Sequence, residues 1–131
     1  MITISEVAQR TGLTTKSIRL YEEKGLIERP SRSDSGYRLY HSQHVADLLL
    51  IARCKRVGFS LDECKHMVML ANDPHRQSRS VREQALEKQQ QVASKIAELQ
   101  AIHQQLTAWI QACPGDEKSR CPIIEDLKNN S

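Results

Sequence analysis

The chain has few of the residues that build a large core, and it has no stretch that would cross a membrane. Only five of its 131 residues are aromatic and 39% are hydrophobic, so we expect one small core with an extension. No apolar run reaches the roughly 20 residues of a membrane span, and no signal-peptide pattern opens the chain. We therefore expect a cytoplasmic protein.

Patterns typical of catalytic sites are also missing. The sequence contains no Ser/His/Asp arrangement, phosphate-binding loop or paired-carboxylate site. A thiol oxidoreductase would need two thiols separated by two residues in a βαβ context, and both features are absent. The sequence therefore predicts a protein that is not an enzyme.

The positive charge is concentrated in one half of the chain. Residues 1–69 carry 11 Lys and Arg against 8 Asp and Glu, a surplus of 3, whereas residues 70–131 carry 8 of each. The whole net charge of +3 thus lies in the N-terminal half. This half is the one expected to meet phosphate.

The N-terminal half predicts a helix-turn-helix followed by a β-hairpin wing. Helices are expected over 4–12 and from about 15 to 24, and the Asp-Ser-Gly turn within 30–40 predicts the hairpin. Side chains of the second helix would reach base edges and phosphates in the major groove, and the wing would clamp the flanking backbone. The candidate DNA contacts are Lys16, Ser17, Arg19 and Tyr21 on the helix and Arg32, Tyr37 and Arg38 on the wing.

Two more helices complete the predicted DNA-binding domain, which spans residues 1–71. One is expected from 43 to 57 with Ser42 as its cap, and the next to about 71 after a capping box that begins at Ser60. The Asn-Asp-Pro segment at 72–74 then breaks the helical pattern and marks the domain boundary.

A long helix is predicted from Ser78 to Ala112, within a connector and dimerisation segment at 72–112. This stretch lacks Gly and Pro, so it would form a helix about 50 Å long. Its apolar stripe cannot be buried by a lone helix, and we expect a coiled coil with a second protomer. The stripe consists of Val92, Ile96, Leu99, His103, Leu106 and Ile110, with His103 expected to be packed rather than to bind metal.

Two of the four cysteines form a candidate metal site in the last segment, 113–131. Cys113 and Cys121 are separated by seven residues, and each is followed by proline. Two thiolates without further ligands suit a soft monovalent ion, whereas structural zinc normally has four ligands. Cys54 and Cys64 lie among apolar neighbours in predicted helices, where we expect them to be buried. One or two helical turns are expected over 122–127, and a frayed tail over 128–131.

Several separated motifs resemble the signature of the MerR family of transcription regulators. They are ISEVA (4–8), TTKSIRLYEEKGLI (14–27) and SGYRLY (35–40). The order of elements also resembles this family along essentially the whole chain. The resemblance implies a mainly α fold, with an antiparallel coiled coil in a symmetric homodimer. It further implies binding to a promoter whose −35 and −10 elements are too far apart, and distortion of that DNA for RNA polymerase when metal binds. Lys16, Arg19, Tyr21, Tyr37 and Arg38 match the family's DNA-contact positions.

The tail, with ACPGD (112–116) and CPIIE (121–125), resembles the copper-efflux branch of the family. In zinc- and mercury-sensing members a further cysteine stands at the start of the long helix, where this chain has Ser78. The resemblance therefore implies one Cu(I), Ag(I) or Au(I) per protomer, bound by Cys113 and Cys121.

Other interpretations remain open from the sequence. The cysteine pair suits a regulator that senses thiol oxidation, because Lys118 and Arg120 could lower a thiol pKa, although Asp116 and Glu117 oppose them. A divalent-metal sensor of the zinc or mercury type is a further alternative. A purely structural coiled-coil adaptor would explain the long helix, but not the helix-turn-helix or the cysteine loop.

Overall fold

The computed structural model describes residues 1–129 and is mainly helical. Its elements in chain order are α1 (Ile4–Thr11), α2 (Thr15–Glu23), β1 (Ser31–Arg32), β2 (Arg38–Leu39), α3 (Ser42–Arg56), α4 (Leu61–Asn72), α5 (Ser78–Ala112) and α6 (Pro122–Asn129). Residues 1–85 form one compact unit and the residues from Leu86 onward a second. The predicted fold class, a winged helix-turn-helix with a long helix, is confirmed. The predicted domain limits after residues 71 and 112 stay predictions.

The caps of α1 and α2 define the helix-turn-helix. The Thr3 hydroxyl accepts the backbone N–H of Glu6 at 3.4 Å, and the Thr14 hydroxyl accepts that of Ser17 at 3.0 Å. Between the two helices, Gly12 has a φ of 74°, a left-handed conformation that glycine adopts without a side-chain clash. Both helices therefore begin and end within about one residue of the predicted positions.

The wing is a two-stranded antiparallel hairpin in which Arg32 lies opposite Arg38. Its turn closes at Gly36, where φ is 87°. Ile2 and Tyr40 exchange two backbone hydrogen bonds of 2.8 Å, so the start of the chain is paired with the end of the hairpin. This pairing holds the wing against the helix-turn-helix.

A small core joins the helix-turn-helix to α3 and α4. Its buried members come from the four helices α1 to α4 and from the segments that connect them, and burial of their apolar surface is the main stabilising contribution to this unit. They are Val7, Ile18, Tyr21, Leu26, Ile27, Tyr40, Leu48, Ile51, Cys54, Phe59, Cys64 and Val68.

The cap of α3 differs from the prediction. Ser42 is the first helical residue and His41 is the N-cap. The backbone N–H of His41 donates to Nδ1 of His44 at 3.1 Å, and Nε2 of that ring lies 3.1 Å from the carbonyl oxygen of Glu28. Because Nδ1 accepts, Nε2 must carry the ring proton and donate. Burial lowers the pKa of His44, which favours this neutral form.

The second unit contains most of α5 and all of α6. Helix α5 has 35 residues and the predicted limits. Helix α6 extends beyond the predicted 122–127, and it includes Lys128 and Asn129, which were expected in a frayed tail. Asn130 and Ser131, the rest of that tail, lie outside the described residues. Across residues 1–129, no helix combines the length and the apolar character needed to span a membrane.

Candidate functional sites

The exposed side of α2 and the wing share two depressions on the surface of the first unit. One, of about 400 Å³, is lined by Arg19, Arg29, Arg32 and Arg38 together with Glu22 and Glu23. The other, also of about 400 Å³, connects Arg19 and Tyr37 with Thr3 and Ser5 at the start of α1. Arg19 therefore lies where the helix-turn-helix and the wing meet. Arg29 is a further cation of this surface, which the motif-based prediction did not include.

The wing arginines are held in place by hydrogen bonds. Nε of Arg38 donates to Oε2 of Glu22 on α2 at 3.0 Å, and both side chains are largely shielded from solvent. Nη1 of Arg32 donates to the carbonyl oxygen of Gly36 at 2.9 Å. A guanidinium has five N–H donors, so each arginine keeps several for a phosphate. Tyr37 is 72% exposed between them.

Tyr21 occupies a different environment from the other candidate contacts of α2. Lys16 and Arg19 are exposed and Ser17 is half-buried, whereas Tyr21 is 6% exposed and belongs to the core. The expectation that Tyr21 lies on the exposed face was wrong, because its ring packs on the same side as Ile18. Any contact from Tyr21 to DNA is restricted to the small accessible part of its side chain.

An apolar stripe runs along the part of α5 in the second unit. Six of its side chains are between 44% and 67% exposed, although their spacing places them on one side of the helix. Exposed apolar stripes of this length mark association surfaces. Its members are Val92, Ile96, Leu99, Ile102, Leu106 and Ile110; Ile102 was not predicted, and the predicted His103 is exposed on the same side.

The loop from Cys113 to Cys121, here called the two-cysteine loop, brings the two predicted thiols together. The Sγ atoms of Cys113 and Cys121 lie 3.9 Å apart, and both cysteines are free thiols with half-buried side chains. Two sulfur–metal bonds of about 2.3 Å in line would separate the sulfurs by about 4.6 Å. The thiols thus need to move apart by no more than about 0.7 Å to bind one ion in a linear arrangement. This donor pair fits a soft monovalent ion.

Cys121 is also the N-cap of α6. Its carbonyl oxygen accepts the first helical hydrogen bond, from the N–H of Glu125 at 3.1 Å. The backbone N–H groups of Ile124 and Ile123 at the start of the helix lower the pKa of the Cys121 thiol. Pro122, at the first helical position, has no N–H that would need a partner. The helix start therefore favours the thiolate, which is both the metal-binding and the reactive form.

Trp109 is a residue of this site that the sequence analysis missed. Its indole Nε1 donates to Oδ2 of Asp126 at 2.7 Å and so connects the end of α5 with α6. Its carbonyl oxygen accepts the backbone N–H of Cys113 at 3.0 Å. The single tryptophan of the chain, placed four residues before the first loop cysteine, was the available signal.

Other metal-ligand groups are not assembled in the described part of the chain. Within residues 1–129, no group of three or more His, Cys, Asp or Glu side chains could hold an ion. Cys54 and Cys64 are buried as predicted, and burial raises the pKa of Cys64 to about 11. Ser78 is the exposed first residue of α5. The loop pair is therefore the best-suited metal site of the described residues.

Comparisons with protein families match most of the chain. The profile of the MerR HTH family of regulatory proteins matches residues 2–69. A second profile, described as MerR, DNA binding, matches residues 45–109. Together they extend from the first residues of the helix-turn-helix into the last third of α5.

Individual relatives are similar over nearly their full length. The HTH-type transcriptional regulator CueR of Vibrio cholerae is 65% identical over 127 residues, covering 97% of this chain and 91% of the relative. Two solved structures, each covering 97% of this chain and 99% of its own, have the same fold. They are PbrR691 from Ralstonia metallidurans in complex with lead(II), with 30% identity and a TM-score of 0.85, and MerR from Bacillus megaterium in complex with mercury(II), with 29% identity and a TM-score of 0.73.

Proposed function

Because the chain belongs to the MerR family of helix-turn-helix regulatory proteins, we propose that it is a promoter-binding homodimer that activates transcription when Cu(I), or the related Ag(I) or Au(I), binds to Cys113 and Cys121. The regulated genes would encode metal efflux or detoxification. One ion would bind to each protomer. The observation that carries this proposal is the pair of free thiols 3.9 Å apart in a chain that assembles no larger group of ligands within residues 1–129.

The ligand count favours a monovalent ion over a divalent one. When bound, a monovalent ion would link the two thiolates in a centre of net charge −1, while Zn(II) would seek further ligands. The similar structures that hold lead(II) and mercury(II) make a divalent ion the alternative. Ser78 argues against it, because it offers a hydroxyl where divalent-sensing members carry a cysteine thiolate.

The DNA-binding surface would consist of α2 and the wing. Lys16, Ser17 and Arg19 would face the major groove, with Tyr21 at its edge. Arg32, Tyr37 and Arg38 would contact the flanking backbone. The hydrogen bonds that hold the two wing arginines support this role, since ordered side chains lose less entropy when they bind phosphate.

Replacing Arg19 with alanine is expected to weaken promoter binding at least about 10-fold, since a good arginine–base contact contributes about 1–3 kcal/mol and the dimer makes it twice. Gel-shift titrations at several salt concentrations would measure this. Arg79→Ala is the matched control, because it removes the same charge from an exposed position of α5 on the side opposite the apolar stripe. Equal affinities of the two variants would contradict the assigned surface.

Activation would occur through the shape of the DNA. The dimer would occupy its promoter with or without metal, and metal binding would bend and untwist the DNA so that RNA polymerase meets both promoter elements. Deformation of this kind costs a few kcal/mol.

Promoter binding and in vitro transcription measured with and without Cu(I) test the proposal. We expect similar occupancy in both cases and transcription only with Cu(I); transcription indifferent to Cu(I) would contradict it.

The apolar side of α6 would carry the signal. Ile124 and Leu127 are 52% and 56% exposed, and we propose that metal binding docks them, with Ile123, onto the two-helix connector of the partner protomer, the pair of helices α3 and α4. Leu127→Ser is expected to reduce metal-dependent transcription about 10-fold, because one buried leucine contributes about 1.5 kcal/mol or more. The Cu(I) affinity of this variant should stay within about threefold of the wild type, since no ligand changes.

Lys128→Ser, which changes an exposed residue of α6, is the control. Full activation by the Leu127 variant, or by a chain truncated after Pro122, would contradict the docking.

A thiol-oxidation sensor is a second candidate, favoured by the lowered pKa of Cys121 and the short distance to Cys113. In that case peroxide would activate transcription in the absence of copper, through a disulfide between these residues. Activation by Cu(I) under anaerobic, reducing conditions separates the two functions, because those conditions keep the thiols reduced.

A further inference from the structure

Trp109 is hydrogen-bonded on both sides of the two-cysteine loop, to Cys113 at its start and to α6 after its end. Its carbonyl oxygen accepts the N–H of Cys113 at 3.0 Å, and its indole Nε1 donates to Oδ2 of Asp126 at 2.7 Å. Asp126 lies in the middle of α6, five positions after Cys121, the N-cap of that helix. The backbone of Trp109 thus contacts the segment of one thiol, and its side chain contacts the segment of the other.

We propose that the Trp109–Asp126 hydrogen bond, here called the indole clasp, holds α6 in the position that places the Cys121 thiol opposite the Cys113 thiol. Both are positioning residues and not metal ligands. This inference rests on the proposed function, because it assumes that Cys113 and Cys121 bind the metal ion. The hydrogen bond itself can be tested without metal.

The short length of α6 explains why such an anchor is needed. The helix has eight residues, and isolated helices shorter than about 12 residues are marginal in water. A hydrogen bond from an indole N–H to an ionised carboxylate is charge-assisted, and 2.7 Å is short for an N–H donor. The clasp therefore biases α6 toward its folded position beside the end of α5.

Preorganisation connects the clasp with metal binding. With α6 held in this position, the two sulfurs lie 3.9 Å apart. Without the clasp, the ion must also order α6, and that entropic cost lowers its affinity. Partners that orient metal ligands commonly change affinity by about 10- to 100-fold when they are removed.

The test uses Trp109→Phe and Asp126→Ala in the full-length protein. We expect each to weaken Cu(I) binding about 10-fold in competition with a chelator, and the double variant to be no weaker than either single one. In the metal-free protein, the backbone amides of α6 should exchange with solvent several-fold faster in each. Asp126→Asn keeps an acceptor oxygen and should restore both properties to within about threefold. Lys128→Ala, which removes an exposed charge from α6, is the matched control.

Unchanged Cu(I) affinity and unchanged amide exchange in the two single variants would overturn the clasp. So would an Asp126→Asn variant as impaired as Asp126→Ala, or effects that add in the double variant. A wild-type protein that fails to bind Cu(I) through its cysteines would instead overturn the proposed function. The amide exchange of α6, measured without metal, still decides the clasp in that case.

Discussion

Replacing Cys113 with serine is expected to abolish copper-dependent transcription while promoter binding remains intact. A hydroxyl is a poor ligand for a soft ion, and one remaining thiolate cannot complete a two-coordinate centre. Loss of a direct ligand should weaken Cu(I) binding by more than the roughly 100-fold that loss of an orienting partner costs. Cys121→Ser should behave in the same way. Transcription in vitro and gel shifts on the same promoter measure both properties.

A control variant separates the loop thiols from the core thiols. Cys54→Ala removes a buried cysteine that packs in the first unit, and it should respond to Cu(I) like the wild type. Copper-dependent transcription by the Cys113→Ser variant, or a response lost only with Cys54→Ala, would contradict the assignment of the metal site. Loss of promoter binding together with the response would indicate a folding defect.

Replacing Leu99 with glutamate is expected to dissociate the homodimer and thereby abolish promoter binding at micromolar protein. Leu99 lies in the middle of the exposed stripe of α5 and is 54% exposed in a single chain. Burial of one leucine contributes about 1.5–3 kcal/mol, and a two-fold interface loses this contribution twice. The dimer affinity should fall at least about 100-fold even before the cost of burying the charge.

Gln90→Glu provides the matched control for Leu99→Glu. The two positions are nine residues apart, so at 3.6 residues per turn they lie on opposite sides of α5, and Gln90 is exposed. Sedimentation analysis of both variants measures the change. A Leu99→Glu protein that remains dimeric would show that the stripe is not the dimer interface.

Local sequence signals predicted the helices closely. The absence of Gly and Pro from Ser78 to Ala112 determined the limits of α5. The capping box of α4 is confirmed, because Ser60 accepts the N–H of Glu63 at 3.2 Å and donates its own N–H to that side chain at 2.8 Å. Such signals depend on neighbours in the chain, so they can be identified without a tertiary structure.

Features that depend on packing were missed. Tyr21 was assigned to the exposed face of α2 together with Lys16 and Arg19, but it is only 6% exposed and packs in the core. His41 caps α3 because the ring of His44 is held by the carbonyl of Glu28, 16 residues away. That partner cannot be inferred from helix-capping preferences, which favour Ser42.

The candidate metal site was predicted only in part. The two cysteines follow from residue type and spacing. Trp109 and Asp126 are 17 residues apart, and neither belongs to a ligand motif. Their contact depends on how α6 folds back toward the end of α5, and a pattern along the chain does not specify this geometry.

Anaerobic titration of the reduced, full-length protein with Cu(I) and with Zn(II), each against a competing chelator, tests the central claim most directly. We predict tight binding of about one Cu(I) per protomer and weak binding of Zn(II), because two thiolates satisfy the soft monovalent ion alone. Cys113→Ser and Cys121→Ser should each lose the Cu(I) site. Tight Zn(II) binding, or Cu(I) binding that does not depend on these cysteines, would contradict the claim.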